Sequence, residues 1–203
     1  MNFKGISFYL GLFCFPISIL AFVNILYSSY FDYFLSLDSY LISLFVSGVF
    51  GSGLCILGRR SSRKINFIEQ LMLIILVYLL IGFFIAIPFY LSNFQINFIS
   101  AFFEAISGLT GTGFSIFKNI KYLDPTLILW RSSSQWIGGL YFLIFLTLLF
   151  SSKSFNYKMT QLTYTGDSNF NSEEKIKSNI LNIFIFYTVL SFIFFVLLSF
   201  SEI

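Results

Sequence analysis

The sequence predicts an all-α integral membrane protein, and two observations carry that prediction. Apolar residues fill 57% of the 203 positions and charged residues only 10%, against about 25% charged in a soluble domain. Mean hydropathy is +0.86. Five apolar segments reach the roughly 20 residues that a bilayer crossing needs. A sixth is too short to cross and runs into a Gly- and Thr-rich tail.

The first segment, about 5–27, follows Lys4. A basic start also suits a signal peptide, but the run is long, contains Pro16 and lacks a small-x-small site before the Asp32 region. An uncleaved helix is therefore expected. The second segment, about 40–58, carries Ser43, Ser47, Gly51 and Cys55 at spacings of four. They form one stripe of small residues that another helix can approach closely. Arg59-Arg60-Ser61-Ser62-Arg63-Lys64 follows. It reads as a cytoplasmic anchor on anionic lipid, with a docking site for a soluble partner as the less favoured reading. The third segment covers about 66–90.

The short segment covers about 97–109. At about 1.5 Å per residue it reaches roughly halfway across, the length of a re-entrant pore helix. Two further spans are expected at about 127–150 and 176–200. Between them the polar stretch 154–175, with Gly166-Asp167-Ser168-Asn169, reads as a cytoplasmic connector.

Lys and Arg placement sets the expected orientation. Lys4, the group Arg59, Arg60, Arg63 and Lys64, and the group Lys153, Lys158, Lys175 and Lys177 fall on one side. Only Lys118, Lys121 and Arg131 fall on the other. The N-terminus is thus expected in the cytoplasm, and the half-length segment enters from outside.

The sequence excludes several chemistries. It has no His, which removes His-based triads and His-ligated zinc or haem. Cys14 and Cys55 sit apart in apolar runs and read as small core residues. Gly108 and Gly113 have the spacing of a phosphate-binding loop, but Phe114 stands where its Lys must be. Gly111-x-Gly113 is followed by Ile116 instead of the third Gly of a dinucleotide fingerprint. Gly51-Ser52-Gly53 has no His to activate its hydroxyl, and no span offers a Lys in its place. Neither an enzyme nor a nucleic-acid partner is expected.

That leaves Thr110-Gly111-Thr112-Gly113. Irregular backbone at membrane depth is tolerated only where it lines a watery path or is buried in protein. Extended backbone rises about 3.3 Å per residue, so successive carbonyls can ring a dehydrated monovalent cation at stacked sites. Gly can aim its carbonyl at angles other residues resist, and Thr can add a hydroxyl acceptor. The negative C-terminal end of the short helix points the same way. The segment is therefore read as one strand of a cation filter, against an ordinary Gly-Thr loop joining two helices. Glu104 lies inside the short helix, where a bare carboxylate is costly. Arg131, at the outer start of the next span, is its candidate partner in a structural clamp. Trp130 and Trp136 are expected at the interface, packed on the short helix.

Phe102-Phe103-Glu104-Ala105-Ile106-Ser107-Gly108-Leu109-Thr110-Gly111-Thr112-Gly113 resembles the first pore loop of the Trk/Ktr/HKT potassium transporters, especially their bacterial TrkH branch. Leu129-Trp130-Arg131-Ser132-Ser133-Ser134-Gln135-Trp136-Ile137-Gly138-Gly139-Leu140 looks like the start of the next helix in that branch. The resemblance is clear over about 65–150. It implies a potassium-channel-like helix–pore-loop–helix repeat preceded by two leading transmembrane helices. On that plan 1–64 is the leading pair and 65–153 the first repeat. Residues 154–203 are the connector and the first helix of a truncated second repeat.

The resemblance further implies that Thr110, Gly111, Thr112 and Gly113 bind the permeating ion, and that Glu104 and Arg131 support the pore helix. Gly at the closing position goes with potassium preference in the family, whereas Ser goes with sodium transport in some plant members. Many relatives carry Thr where this chain has Gly111. No cofactor is implied beyond K+ as the transported ion. A bacterial inner membrane, membrane lipid, a homodimer when intact and a cytosolic nucleotide-binding gating subunit are implied as surroundings and partners.

The resemblance thus implies potassium uptake by a subunit or fragment that holds about a quarter of a filter. A non-transporting membrane scaffold, an inactive gene remnant, or a short chain assembling into a four-fold pore are the alternatives. Reporter fusions test the orientation. Fusions after Ser62 and Gly166 should read cytoplasmic, and fusions after Asp32 and Lys121 external. A cytoplasmic reading after Lys121 would remove the re-entrant segment.

Overall fold

The computed structural model describes residues 2–33, 37–59, 66–120, 123–150 and 172–200. They form six helices: α1 (Phe3–Tyr30), α2 (Leu37–Gly58), α3 (Phe67–Tyr90), α4 (Phe98–Leu109), α5 (Pro125–Phe150) and α6 (Ser172–Phe200). Five are long and apolar enough to cross a bilayer, and α4, at 12 residues, is not. The chain is a multi-pass membrane protein, all-helical among the described residues. Residues 60–64 of the basic anchor, Lys121, and 154–171 of the connector lie outside the described residues.

The helix starts follow from local caps. The Asn2 side chain accepts from Gly5 N at 3.0 Å, so α1 begins earlier than its apolar run. The Glu69 carboxylate reaches back to Asn66 N at 2.9 Å, half of a capping box. Asn97 accepts from Ser100 N at 2.8 Å and starts α4. Asp124 accepts from Thr126 N at 3.1 Å, and Pro125 sits in the first turn, where no donor is needed.

Residues Met1–Gly139 form one compact unit and Leu140–Ile203 another. In the first, α1 and α2 pair antiparallel, since their contacts run in opposite order. A Cβ on Gly58 would strike Lys4 O, one on Gly11 would come within 2.6 Å of Gly51 O, and Ser18 meets Ser47 at 2.8 Å. Lipid tails are as apolar as Leu, so close backbone approach and hydrogen bonds must hold such a pair. The small-residue stripe of α2 is the surface used. Ser47 and Gly51 face α1, and Cys55 donates to Phe8 O at 3.6 Å. At the same end Glu69 also accepts from Asn2 N at 2.5 Å, which ties the start of α1 to the start of α3.

Pro88 lies inside α3 and has no N–H, so the carbonyl four residues earlier, on Phe84, loses its helical donor. Ser43 of α2 donates to Phe84 O at 3.2 Å and fills the gap. Trp130 of α5 donates its indole N–H to the next carbonyl, Ile85 O, at 3.0 Å. The Trp130 ring is buried and lies 5.6 Å from Tyr40, whose hydroxyl donates to Thr126 at 3.1 Å. Trp130 therefore joins α5 to α3 and α2, where an interfacial anchor on the short helix was expected.

Three glycines seat α4. A side chain on Gly82 would strike Ile106, one on Gly108 would come within 2.5 Å of Ser134 Oγ, and one on Gly138 would strike Leu109 O. The first lies on α3 and the last on α5, so α4 is held between them at backbone distance. Phe98, at its start, stacks among Phe83 (5.6 Å), Tyr90 (5.9 Å) and Phe102 (6.2 Å).

In the second unit, the end of α5 places Tyr141 and Phe145 rings 6.1 Å apart. In α6 none of the most apolar 18-residue window is buried. Its hydroxyls bond within the helix, Thr188 to Phe184 O and Ser191 to Tyr187 O. These two hydroxyls thus find acceptors in their own helix.

The pairing of α1 and α2 makes a stability prediction. Gly11→Val should destabilise the folded protein by about 1–3 kcal/mol, because its Cβ would meet the α2 backbone. Gly53→Ala, whose Cβ would meet nothing within 4 Å, should be near neutral. Thermal unfolding in detergent reads both. Equal midpoints would mean that the helices do not meet at Gly11.

Candidate functional site

Helix α4 stops at Leu109 because the next residues turn its last amides inward. Thr110 N donates to Ile106 O at 2.8 Å and Gly111 N to Gly108 O at 3.0 Å. Gly111 and Gly113 then adopt φ of 71° and 74°. That left-handed region strains any residue with a Cβ, and a Gly there is a common helix stop. A Cβ at either position would meet nothing within 4 Å. The requirement is therefore one of backbone angle and not of space. The backbone departs from the plain extended strand expected from sequence, because two of its four residues turn left-handed.

The back of this segment is bonded to α4. The Thr110 hydroxyl donates to Ile106 O at 2.8 Å. The Thr112 hydroxyl lies 3.2 Å from Ser107 O and 3.1 Å from Ser107 Oγ. Ser107 in turn donates to Phe114 O at 2.6 Å, and Gly113 N reaches Ser107 O at 3.4 Å. Both threonine protons thus point to the helix.

The front is open. Thr110, Gly111, Thr112 and Gly113 are exposed. Among the described residues, the carbonyls of Thr110, Gly111 and Thr112 accept no hydrogen bond. The Gly113 carbonyl differs, since it accepts from Arg131 Nη2 at 3.2 Å. No cluster of three His, Cys, Asp or Glu able to hold a metal occurs among the described residues. The oxygens on offer are neutral carbonyls.

Glu104 sits behind the segment with its side chain fully buried. The structure brings it to Arg131, whose Nε donates to Oε1 at 2.5 Å. The carboxylate also accepts from Ser115 Oγ at 3.1 Å and from Ile116 N at 3.0 Å. A buried carboxylate needs this many partners, because desolvation otherwise outweighs the attraction of one opposite charge. The result is one charge centre that holds α4, α5 and the chain leaving the Gly–Thr segment. Phe117 secures that departing chain by packing on Phe94 at 5.8 Å and Phe89 at 6.5 Å.

Several participants were not singled out from sequence. Ser107 and Ser115 are ordinary serines in an apolar run, and only their fold-imposed neighbours make them bond. Gly138, Gly108 and Gly82 carry a weak signal as small residues in apolar segments. The Asp124-Pro125 pair is a helix-start signal outside the expected bound of about 127, and it sets the start of α5.

The model of the TrkH cation transport protein family matches residues 37–202. An uncharacterized cation transporter of Methanocaldococcus jannaschii is 31% identical over 122 residues, covering 57% of this chain and 24% of that protein. The Trk system potassium uptake protein TrkI of Halomonas elongata is 35% identical over 72 residues, covering 36% of this chain and 15% of that protein. The Trk system potassium uptake protein TrkH of Salmonella typhimurium is 30% identical over 99 residues, covering 48% of this chain and 20% of that protein. The matched segment thus spans about a quarter or less of each relative's length. No solved structure matches the chain.

The Glu104–Arg131 pair generates a prediction about folding. Glu104→Gln leaves the partly exposed Arg131 guanidinium without its counter-charge and should cost about 3 kcal/mol, the low end for a broken buried pair. The double variant Glu104→Gln with Arg131→Gln should recover part of that loss. Folded yield and thermal midpoint in detergent are the measurements. Normal yield with an altered potassium-to-sodium ratio would instead move Glu104 into the ion path.

Proposed function

The chain belongs to the TrkH family of cation transport proteins, and on that footing we propose that Thr110, Gly111, Thr112 and Gly113 form one strand of a carbonyl-lined filter through which potassium enters the cell. Transporters of this family are not enzymes, and this chain's role is transport. The observation that supports the filter reading best is the asymmetry of the segment. Its threonine protons and the Gly113 carbonyl are bonded to α4 and α5, while the carbonyls of Thr110, Gly111 and Thr112 accept no bond among the described residues. Carbonyls kept without donors can replace the hydration shell of a cation. Neutral ligands suit a monovalent ion that must also leave. The potassium assignment follows the names of the Halomonas elongata and Salmonella typhimurium relatives.

In this reading α3, α4 and α5 make a helix–pore-loop–helix repeat over about 65–153, after a leading pair over 1–64. Residues 154–203 are a cytoplasmic connector and the first helix of a second repeat. The N-terminus is cytoplasmic in a bacterial plasma membrane. An ion stripped of water on one side only stays under-coordinated, so the remaining carbonyls come from further pore loops of the protein or from partner chains. The intact assembly is a homodimer with a cytosolic nucleotide-binding gating subunit.

The closing position tests the reading. Gly113→Ser adds a Cβ at φ 74°, where the strain is about 1 kcal/mol or more. In the full-length protein, expressed in cells that lack other potassium uptake, the variant should lower the potassium-to-sodium uptake ratio. An unchanged ratio at normal yield would remove Gly113 from the filter.

A further inference from the structure

We propose that Ser107, a residue of α4 that does not face the ion, is a positioning residue for ion discrimination. The inference rests on the filter reading above and adds to it the element that sets the carbonyl spacing. A carbonyl ring discriminates between cations only if its oxygens keep their distances. Gly111 and Gly113 work against that, because each has wide backbone freedom and a side chain there would meet nothing within 4 Å that could restrain it. Something outside the segment must hold it.

Ser107 is placed to do so. Its side chain is buried, with the residue 4% exposed. Its hydroxyl donates to Phe114 O at 2.6 Å and lies 3.1 Å from the Thr112 hydroxyl, so one oxygen bridges the two residues that flank Gly113. Its carbonyl meets Gly113 N at 3.4 Å and the Thr112 hydroxyl at 3.2 Å. Every residue from Thr112 to Phe114 is therefore bonded to Ser107. Arg131 fixes the Gly113 carbonyl from the α5 side at 3.2 Å. With that carbonyl and the Phe114 carbonyl both engaged, the open oxygens end at Thr112.

Removing the hydroxyl leaves the helix start, the Glu104–Arg131 pair and the packing of α4 on Gly82 and Gly138 in place. It frees Phe114 O and takes one partner from Thr112. The two glycines can then turn, and the carbonyl distances spread. Cations that differ in radius become harder to tell apart, while the protein still folds. A serine that merely completed the helix end would show the reverse, a loss of yield with the ratio intact.

The test is uptake by the full-length protein in cells lacking other potassium uptake, measured for potassium and for sodium per amount of folded protein. Ser107→Ala should lower the potassium-to-sodium ratio roughly three- to tenfold, the effect of about one hydrogen bond. Ser107→Thr keeps the hydroxyl and Ser107→Val replaces it with a methyl at the same shape, so Thr should retain more of the ratio than Val. That pair decides the matter if Ser107→Ala folds poorly. A wild-type ratio in Ser107→Ala, or equal ratios in the Thr and Val variants, overturns the inference. If Gly113→Ser still shifts the ratio in that case, the filter reading stands and only Ser107 is removed. If neither position shifts it, both readings fall.

Discussion

A run of backbone carbonyls left without donors is the feature around which the unit at α4 is arranged, and on the filter reading proposed above those oxygens are the ones that receive an ion. In a membrane an unbonded carbonyl costs several kcal/mol. The exposed oxygens of Thr110, Gly111 and Thr112 are therefore sustainable where they face water or an ion, and the groups behind them must find partners within the protein. The structure meets that condition one group at a time. Thr110 and Thr112 hydroxyls go to α4, Phe114 O goes to Ser107, and Ile116 N goes to Glu104. The buried Glu104 carboxylate is in turn neutralised by Arg131. Each bond behind the segment leaves less freedom for the carbonyls in front.

The scaffold is assembled by the same rule. Between helices in lipid there is little hydrophobic driving force, so contact depends on close approach and on polar groups that find partners. Gly11, Gly51 and Gly58 bring α1 and α2 to backbone distance, and Gly82 and Gly138 do the same for α4 between α3 and α5. Ser18 with Ser47 and Tyr40 with Thr126 add hydrogen bonds across the interfaces. Side chains as large as Trp130 and Tyr141 are buried as well. Trp130 is seated by a specific bond to Ile85 O, not by apolar burial alone.

The helices were legible because a bilayer imposes length and apolarity on every span, and both can be counted. Boundaries read from apolar runs alone are approximate, because the caps that set them lie outside those runs. The start of α5 at Pro125 was placed two residues late because Asp124-Pro125 was not used as a start signal. At the site, Glu104 stood out because a carboxylate in an apolar run must be paired, and Arg131 was the nearby candidate. Ser107 did not stand out, since a serine in a helix costs little and its role comes only from the turn that brings Phe114 back to it. The left-handed angles at Gly111 and Gly113 were likewise out of reach. A glycine announces that such angles are permitted, and only the bonds of the surrounding chain decide that they are used.

The proline in α3 bears on biogenesis. A helix leaving the insertion machinery with Pro88 carries a carbonyl on Phe84 that its own turn cannot serve. The donor that serves it, Ser43, belongs to the helix synthesised just before. By the time α3 enters lipid, α2 is already there, so the repair is at hand when the defect appears. For this pair the chain order thus doubles as an assembly schedule, in which α3 is completed by its predecessor α2. Reversing the order of those two segments would release α3 into hydrocarbon with its ladder broken and no neighbour to mend it.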